Sequence, residues 1–444
     1  MDRRHFLRST LSAGIGGLSL LATWKPLLSQ STRVAASERI TMGFIGLGGN
    51  GTWNLRDFVT REAVRVVALC DVDTNHLNRA GDIVEDAYGS RDYTFYTDYR
   101  ELLSRQDIDA VFISTPDHWH AIIAIDAAEA GKDIFCQKPL GYNIAEGKAM
   151  VEAVHKAGIV WQTGSQQRSS GTFRRACELV RNGYIGNVDK VIVGLPAENY
   201  HSPDIQLEPQ PVPDNLNYNM WLGPAPHIPY NPARVHGNFR WVRDYSGGQI
   251  TDWAGHHVDI AHWGMGVTHS SPVEIEGTGE FPDHPVYDTV ENYSIRCTYR
   301  EGFELHLTHA NGYPRSMDGI PLVPGYRVGL GVFFQGDEGW VHVNRGGMTT
   351  SPASLQTVPF RQNDIRLYTS DDHNGNFIDC VYSRNECVAP IEEANRSIMV
   401  GHLGLISIYL GRKIRWNPDT QHFENDSEAE RYLSRPMRTP WALS

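Results

Sequence analysis

Gly46-Leu47-Gly48-Gly49-Asn50-Gly51 sets three glycines in the spacing G-x-G-x-x-G directly behind a short apolar run, Ile40 to Ile45. The first glycine permits a tight turn out of a strand, the second lets the backbone close on a pyrophosphate, and the third lets the next helix pack against the strand. N–H groups at the start of that helix, around Gly49 and Asn50, then hold the anion. Asp71 ends a second apolar run, Val64 to Cys70. A carboxylate there accepts a hydrogen bond from a ribose 2′-hydroxyl and repels a 2′-phosphate, so NAD is expected over NADP, and Asp73 adds to the repulsion. A second dense group, His256, His257, Asp259 and His262, raises the question of a metal. It contains no H-E-x-x-H and no i, i+4 pair of histidines that would face one ion, so no metal is expected.

These residues need a parallel sheet to position them, and the pattern supplies one. Ala110 to Ser114 reads as a strand, His118 to Ala130 as a helix stopped by Gly131, and Asp133 to Cys136 as the next strand. Asn143 with Glu146 predicts a capped helix start, Gly158 its end, and Ile159 to Thr163 a further strand. Strand and helix in alternation is the signature of a doubly wound α/β fold, expected here over residues 38–160. Thr115-Pro116 and Lys138-Pro139 then fall just past the carboxyl ends of strands, where open α/β sheets bind ligands. From Trp161 the alternation weakens. Several strands are expected between Val273 and Val343, among them Tyr293 to Tyr299 and Phe303 to Thr308, as in an α/β domain with a large, mostly antiparallel open sheet over residues 161–444. Between Pro196 and His236 lie nine of the 24 prolines, with Tyr200, Tyr218, Trp221 and Tyr230. So long an irregular stretch is either a pocket wall or lid, with aromatic faces for a pyranose, or a subunit-contact arm. Gln166, Arg168, Trp221, Arg240, Trp241 and Tyr245 are candidate substrate contacts. Ile391 to Tyr409 reads as a helix, and the polar tail after Trp416 is expected on the surface.

Composition limits the alternatives. The 444 residues are 41% apolar with a net charge of −12, enough for a large core and without the clustered Lys and Arg that nucleic acid requires. Six cysteines show no C-x-x-C spacing, so scattered buried thiols are expected rather than a zinc ribbon or dithiol redox site. Residues 1–36 have a basic start, a weakly apolar middle and a small-residue site at Val34-Ala35-Ala36, the three parts of an export signal. Arg3-Arg4-His5-Phe6-Leu7 resembles a twin-arginine signal, which implies recognition by the twin-arginine export machinery and a bacterial periplasmic or otherwise exported protein. No later stretch reaches membrane-spanning length.

Taken together, the chain after the leader resembles the glucose-fructose oxidoreductase / inositol dehydrogenase / rhizopine-catabolism (Gfo/Idh/MocA) family. The carriers are Gly46 to Gly51, Thr115-Pro116 with His120, Gln137-Lys138-Pro139, Trp221-Leu222-Gly223-Pro224, and the block from Gly247 to Asp259. The usual family pattern is Glu-Lys-Pro, and Gln137 stands in place of the Glu. The resemblance implies nicotinamide-dependent chemistry at a hydroxyl of a sugar or polyol, a homo-oligomer (dimer or tetramer), and a catalytic set of Lys138, Asp252 and His256. It places Thr115, Pro116, His120, Gln137 and Lys138 beside the cofactor. If Ile250 to Trp263 is helical, positions 252, 256 and 259 share one face. His256 would then act as the base, raised or oriented by Asp252, with Lys138 on the developing alkoxide. Export adds a constraint, because free NAD is scarce outside the cytoplasm: the cofactor is expected to be tightly bound and restored in each cycle. Two-substrate sugar exchange meets that constraint, and so does redox-neutral glycoside cleavage through a 3-keto intermediate. Relatives of the second kind in the better-known group lack Lys-Pro, so the retained Lys138-Pro139 favours the oxidoreductase. A non-catalytic sugar or dinucleotide binder is the third alternative.

Overall fold

The computed structural model describes residues 36–198, 207–323 and 331–443. The expected leader, with Arg3 and Arg4, lies outside the described residues except for its last position. Residues 38–444 pack as one unit.

Six parallel strands form the first sheet: β1 (Ile40–Ile45), β2 (Val64–Cys70), β3 (Thr94–Tyr96), β4 (Ala110–Ile113), β5 (Asp133–Cys136) and β6 (Trp161–Thr163), in the order β3-β2-β1-β4-β5-β6. The connecting helices are α1 (Gly49–Phe58), α2 (Thr74–Tyr88), α3 (Tyr99–Leu103), α4 (Asp117–Glu129) and α5 (Ile144–Ala157). The local signals act as expected. Asn143 Oδ1 accepts from Glu146 N at 2.9 Å at the start of α5, and Gly158 ends it with φ 61°. Helix α4 is buried nearly all round, since the sheet and α5 enclose it. On the opposite face Phe44 stacks on Phe112 at 5.0 Å and Phe112 on Phe135 at 4.8 Å.

A large mixed sheet follows. After α6 (Gly171–Arg181) come β7 (Val188–Leu195), α7 (Tyr218–Leu222) and α8 (Gly248–Met265). The remaining strands are β8 (Glu274–Glu280), β9 (Glu291–Thr298), β10 (Glu304–His309), a small hairpin β11 (Ser316–Met317) with β12 (Ile320–Pro321), then β13 (Gly331–Gly336), β14 (Trp340–Asn344) and β15 (Gly347–Ser351). Helices α9 (His373–Ser383) and α10 (Ile391–Leu410) precede β16 (Ile414–Asn417) and β17 (His422–Phe423). The nine-stranded order is β15-β14-β13-β7-β10-β9-β8-β16-β17. Its pairs are antiparallel except β7 with β10, where Leu305 lies beside Val191 in parallel register. Helices α8 and α10 cover one face, over the buried alternate positions Tyr293, Ile295 and Cys297 of β9. Helix α9 crosses back to the first sheet, where Phe377 packs edge-on to Phe135 at 5.6 Å. All six cysteines are buried free thiols. Among the described residues no helix is long and apolar enough to cross a membrane.

The tail after Trp416 runs mostly over the surface, as expected, but a few side chains anchor it. Leu433, Met437 and Trp441 pack onto the core, Trp441 meets Trp119 edge-on at 4.7 Å, and Arg435 Nε reaches the buried Glu146 Oε1 at 3.2 Å. Each apolar side chain fills a separate gap, so no periodic pattern announces their burial.

Candidate active site

The strand order reverses between β1 and β4, so the loops leaving their carboxyl ends diverge. The cavity between them has a volume of about 360 Å³. Its floor is the glycine turn. Gly46 has φ 86°, and a Cβ there would lie 2.6 Å from the Ser114 backbone; a Cβ on Gly51 would lie 2.0 Å from Gly46 O. Only glycine closes this turn, while Gly48 and Gly49 leave bare backbone with open space above it. No side chain caps the N-terminus of α1. Asp71 lines the cavity at the end of β2, its Oδ2 accepting from Leu47 N at 2.6 Å and its Oδ1 from Asp73 N at 2.9 Å. At Thr115 and Gln137, also lining residues, Oγ1 and Nε2 are buried without a hydrogen-bond partner among the described residues. Buried polar atoms without partners are rare, and these two sit where a ligand's polar groups would meet them. The donors and the bare backbone fit a dinucleotide.

Lys138 extends from the loop after β5 into the same cavity, and its Nζ donates to Asp252 Oδ1 at 2.8 Å. Its stem passes α8 at Gly255, where an added Cβ would come within 3.2 Å of Lys138 Cβ. Arg240 lines the cavity from the 3₁₀ turn His236–Trp241 and donates from Nε to the same Asp252 oxygen at 3.0 Å. Burial pushes the Asp252 carboxyl up, but the charges and hydrogen bonds of Lys138 and Arg240 outweigh it and hold the group well below the usual carboxylate range. Asp252 is therefore an ionised anchor for two cations.

His256, one turn further along α8, is buried, with Nδ1 lacking a hydrogen-bond partner among the described residues. Burial first, then the Lys138 and Arg345 charges, push its pKa well below the imidazole range, and Asp252 offsets only part of this. Asp252 does raise His256, as expected, but burial outweighs it, and the carboxylate's hydrogen bonds go to Lys138 and Arg240. His256 is not among the residues that line the dinucleotide cavity.

The candidate residues divide clearly. Gly46, Gly48, Gly49, Asn50, Asp71, Thr115, Pro116, Gln137, Lys138, Trp221 and Arg240 line the cavity. His120 does not: it is buried between two loops, with ring nitrogens 2.8 Å from Pro139 O and 2.9 Å from Thr115 O, to one of which its single N–H donates. Arg168 is corrected from pocket to core. It is 2% exposed and bonded to Asp259 and Glu393. Tyr245 stands behind Trp221, edge-on at 4.9 Å, and Trp241 is buried in the same aromatic cluster. Gln166, half-buried in the 3₁₀ turn before α6, lies outside the cavity. Aromatic and cationic side chains were assigned by type, and here packing claims three of them.

Sequence reasoning missed Asp117, His76, His236 and Phe239 in the cavity wall. Asp117 opens α4 and accepts from Ser246 Oγ at 2.6 Å; burial pushes its carboxyl up to about 7 against the pull of that hydrogen bond. Its place directly after Thr115-Pro116, past a strand end, was a usable signal. His236 carried none, because its neighbours in space lie far away in sequence.

Fold and cleft are those of a family of oxidoreductases with an NAD-binding Rossmann fold. The model of an oxidoreductase family's NAD-binding Rossmann fold matches residues 40–165, and that of the same family's C-terminal alpha/beta domain matches residues 172–317 and 344–443. The chain belongs to the Gfo/Idh/MocA family. It is 32% identical over 150 residues to the uncharacterized oxidoreductase YrbE of Bacillus subtilis (strain 168), covering 34% of this chain and 42% of that one. It is 31% identical over 174 residues to a glycosyl hydrolase family 109 protein of Shewanella pealeana (strain ATCC 700345 / ANG-SQ1), covering 35% and 37%. The matched segments thus span about two fifths of these relatives' lengths. Among solved structures, the aldose-aldose oxidoreductase of Caulobacter crescentus in complex with glycerol shares the fold, with a TM-score of 0.60, 18% identity, and 85% of this chain and 99% of that one covered.

Proposed function

We propose that the protein oxidises or reduces a secondary hydroxyl of a sugar, polyol or glycoside, using a tightly bound NAD that is restored within each cycle. The observation that carries this reading is Lys138: an ammonium inside the cleft, held at 2.8 Å by an ionised Asp252 that also holds Arg240. When bound, NAD supplies the hydride acceptor, or as NADH the donor. Gly46 to Gly51 would hold its pyrophosphate, Asp71 its ribose in preference to a 2′-phosphate, and Thr115 and Gln137 its polar groups at the far end. Lys138 donates a hydrogen bond to the substrate oxygen and stabilises the charge that develops there. His256 accepts the hydroxyl proton, and returns it in the reverse direction. Trp221 offers an apolar face to the sugar ring.

This reading includes export: the twin-arginine-type leader, outside the described residues, directs the folded, loaded protein to the periplasm. Like its family, the chain acts as a dimer or tetramer. The relatives named as glycosyl hydrolase family 109 proteins favour a second reading, redox-neutral glycoside cleavage. There, transient oxidation at C3 acidifies the C2 hydrogen, the aglycone is eliminated, and water addition and reduction follow.

Mixing loaded protein with sugars, polyols and glycosides separates the readings. The oxidoreductase gives up to one equivalent of reduced nicotinamide per chain, reoxidised by a carbonyl compound. The glycosidase releases aglycone with no net reduction. Neither signal, with dinucleotide still bound, means a binder and overturns both.

A further inference from the structure

Asp73, His76 and His236 bring a carboxylate and two imidazoles together at the lip of the cavity, beside Asp71. One donor atom from each lies within 4.8 Å of the others, the only such set of three among the described residues. Asp73 caps α2 and His76 lies in its first turn, while His236 comes from the 3₁₀ turn that also carries Arg240.

The donors are arranged for a shared ion more than for direct pairing. Asp73 commits Oδ1 to Asn75 N and Asn215 Nδ2, both at 2.8 Å, and turns Oδ2 toward His236 Nε2 at 3.5 Å. That separation is long for a hydrogen bond between these groups. It is close to the edge of a tetrahedron around an ion with ligand bonds of about 2.0–2.1 Å, an edge of roughly 3.4 Å. His76 places Nδ1 against Asp71 Oδ2 at 3.2 Å, a carboxylate–imidazole contact of the kind that supports a ligating histidine from behind. The two rings are 4.9 Å apart at 59°. Asp71 and Asp73 offset the charge of a dication; Arg79, donating to Leu47 O at 3.3 Å, is the opposing cation nearby.

We propose that Asp73, His76 and His236 form a three-ligand site for a borderline divalent cation of the zinc class, with Asp71 as the outer carboxylate and one position left for water. The N₂O donor set selects such ions over magnesium or calcium. The ion ties the β2–α2 turn to the 236–241 strap and so fixes one wall of the cavity, a role that stands whether or not the proposed reaction does.

The test uses full-length protein without a polyhistidine tag, stripped with chelator and titrated with Co²⁺. Visible ligand-field absorption and metal content per chain are followed without dinucleotide. One equivalent is expected to bind with the intense absorption of a tetrahedral site, displaced by Zn²⁺. His236→Asn keeps a residue that tolerates the φ of 53° at this position. It and His76→Ala are each expected to weaken binding at least about 100-fold, and Asp71→Asn about 10-fold, with circular dichroism unchanged. No saturable Co²⁺ binding, or affinity unchanged in both histidine variants, overturns the proposal.

Discussion

Helix α8 carries two buried aspartates on one face, Asp252 and Asp259, and their surroundings treat them in opposite ways. Asp259 takes a bidentate pair of bonds from Arg168, at 2.6 and 2.7 Å, and shares that single cation with Glu393. Asp252 has two cations to itself, Lys138 and Arg240. Both carboxyls are driven up by burial. At Asp259 burial prevails over Arg168 and the group lies above the ordinary aspartate value; at Asp252 the two cations prevail and it lies well below. Exposure follows the same division: the Arg168 side chain is 2% exposed and Lys138 12%. One cluster, with its cation buried, joins the 3₁₀ turn at 166–169 to α8 and α10. The other leaves an ammonium and a guanidinium facing a cavity. The ratio of cations to carboxylates, and where the surplus points, separates a staple from a site.

Breaking the staple gives the largest effect. Arg168→Met leaves the buried Asp259 without its cation and Glu393 beside it, and is expected to cost about 3–5 kcal/mol of unfolding free energy. Denaturant melts check this, and turnover per folded molecule should be nearly unchanged. Lowering the pH protonates the stranded carboxyls, so part of the loss should return in acid and deepen as pH rises. On the site side, His256→Gln removes the proton acceptor and is expected to slow turnover by about 10²-fold or more while melting changes little. A His256 that serves only packing would move these two readouts the other way.

A smaller effect sharpens the electrostatics. Asp117 gains a negative charge as pH rises through about 7, next to the cleft. That charge favours the cationic nicotinamide of NAD⁺ over neutral NADH. The ratio of NAD⁺ to NADH affinity should therefore rise a few-fold between acid and alkaline pH, and Asp117→Asn should flatten it. Ligand titrations at several pH values read the ratio directly.

The contrast also explains what was legible in the sequence. The first sheet was, because its signals are local: a glycine turn behind a strand, Asn143 capping Glu146, Gly158 closing a helix. Asp71 and Lys138 were legible because strand ends are places. Asp252 and Lys138 were visible together through the resemblance, but the pairing of Asp252 with Arg240 was not, since Arg240 was read as a substrate contact and its bond to α8 is set by the fold. Arg168, Trp241 and Tyr245 were read as pocket by residue type, and long-range packing drew them inside. His76 and His236 escaped notice for the same reason, as a cluster assembled from two segments shows no spacing.

The most direct test is a single-turnover comparison of loaded wild type and Lys138→Met, matched for bound dinucleotide, with a sugar that reduces the wild-type cofactor. The variant is expected to reduce it about 10²–10³-fold more slowly at an unchanged unfolding midpoint. Equal rates in the two proteins would contradict the assignment of the chemistry to this cleft.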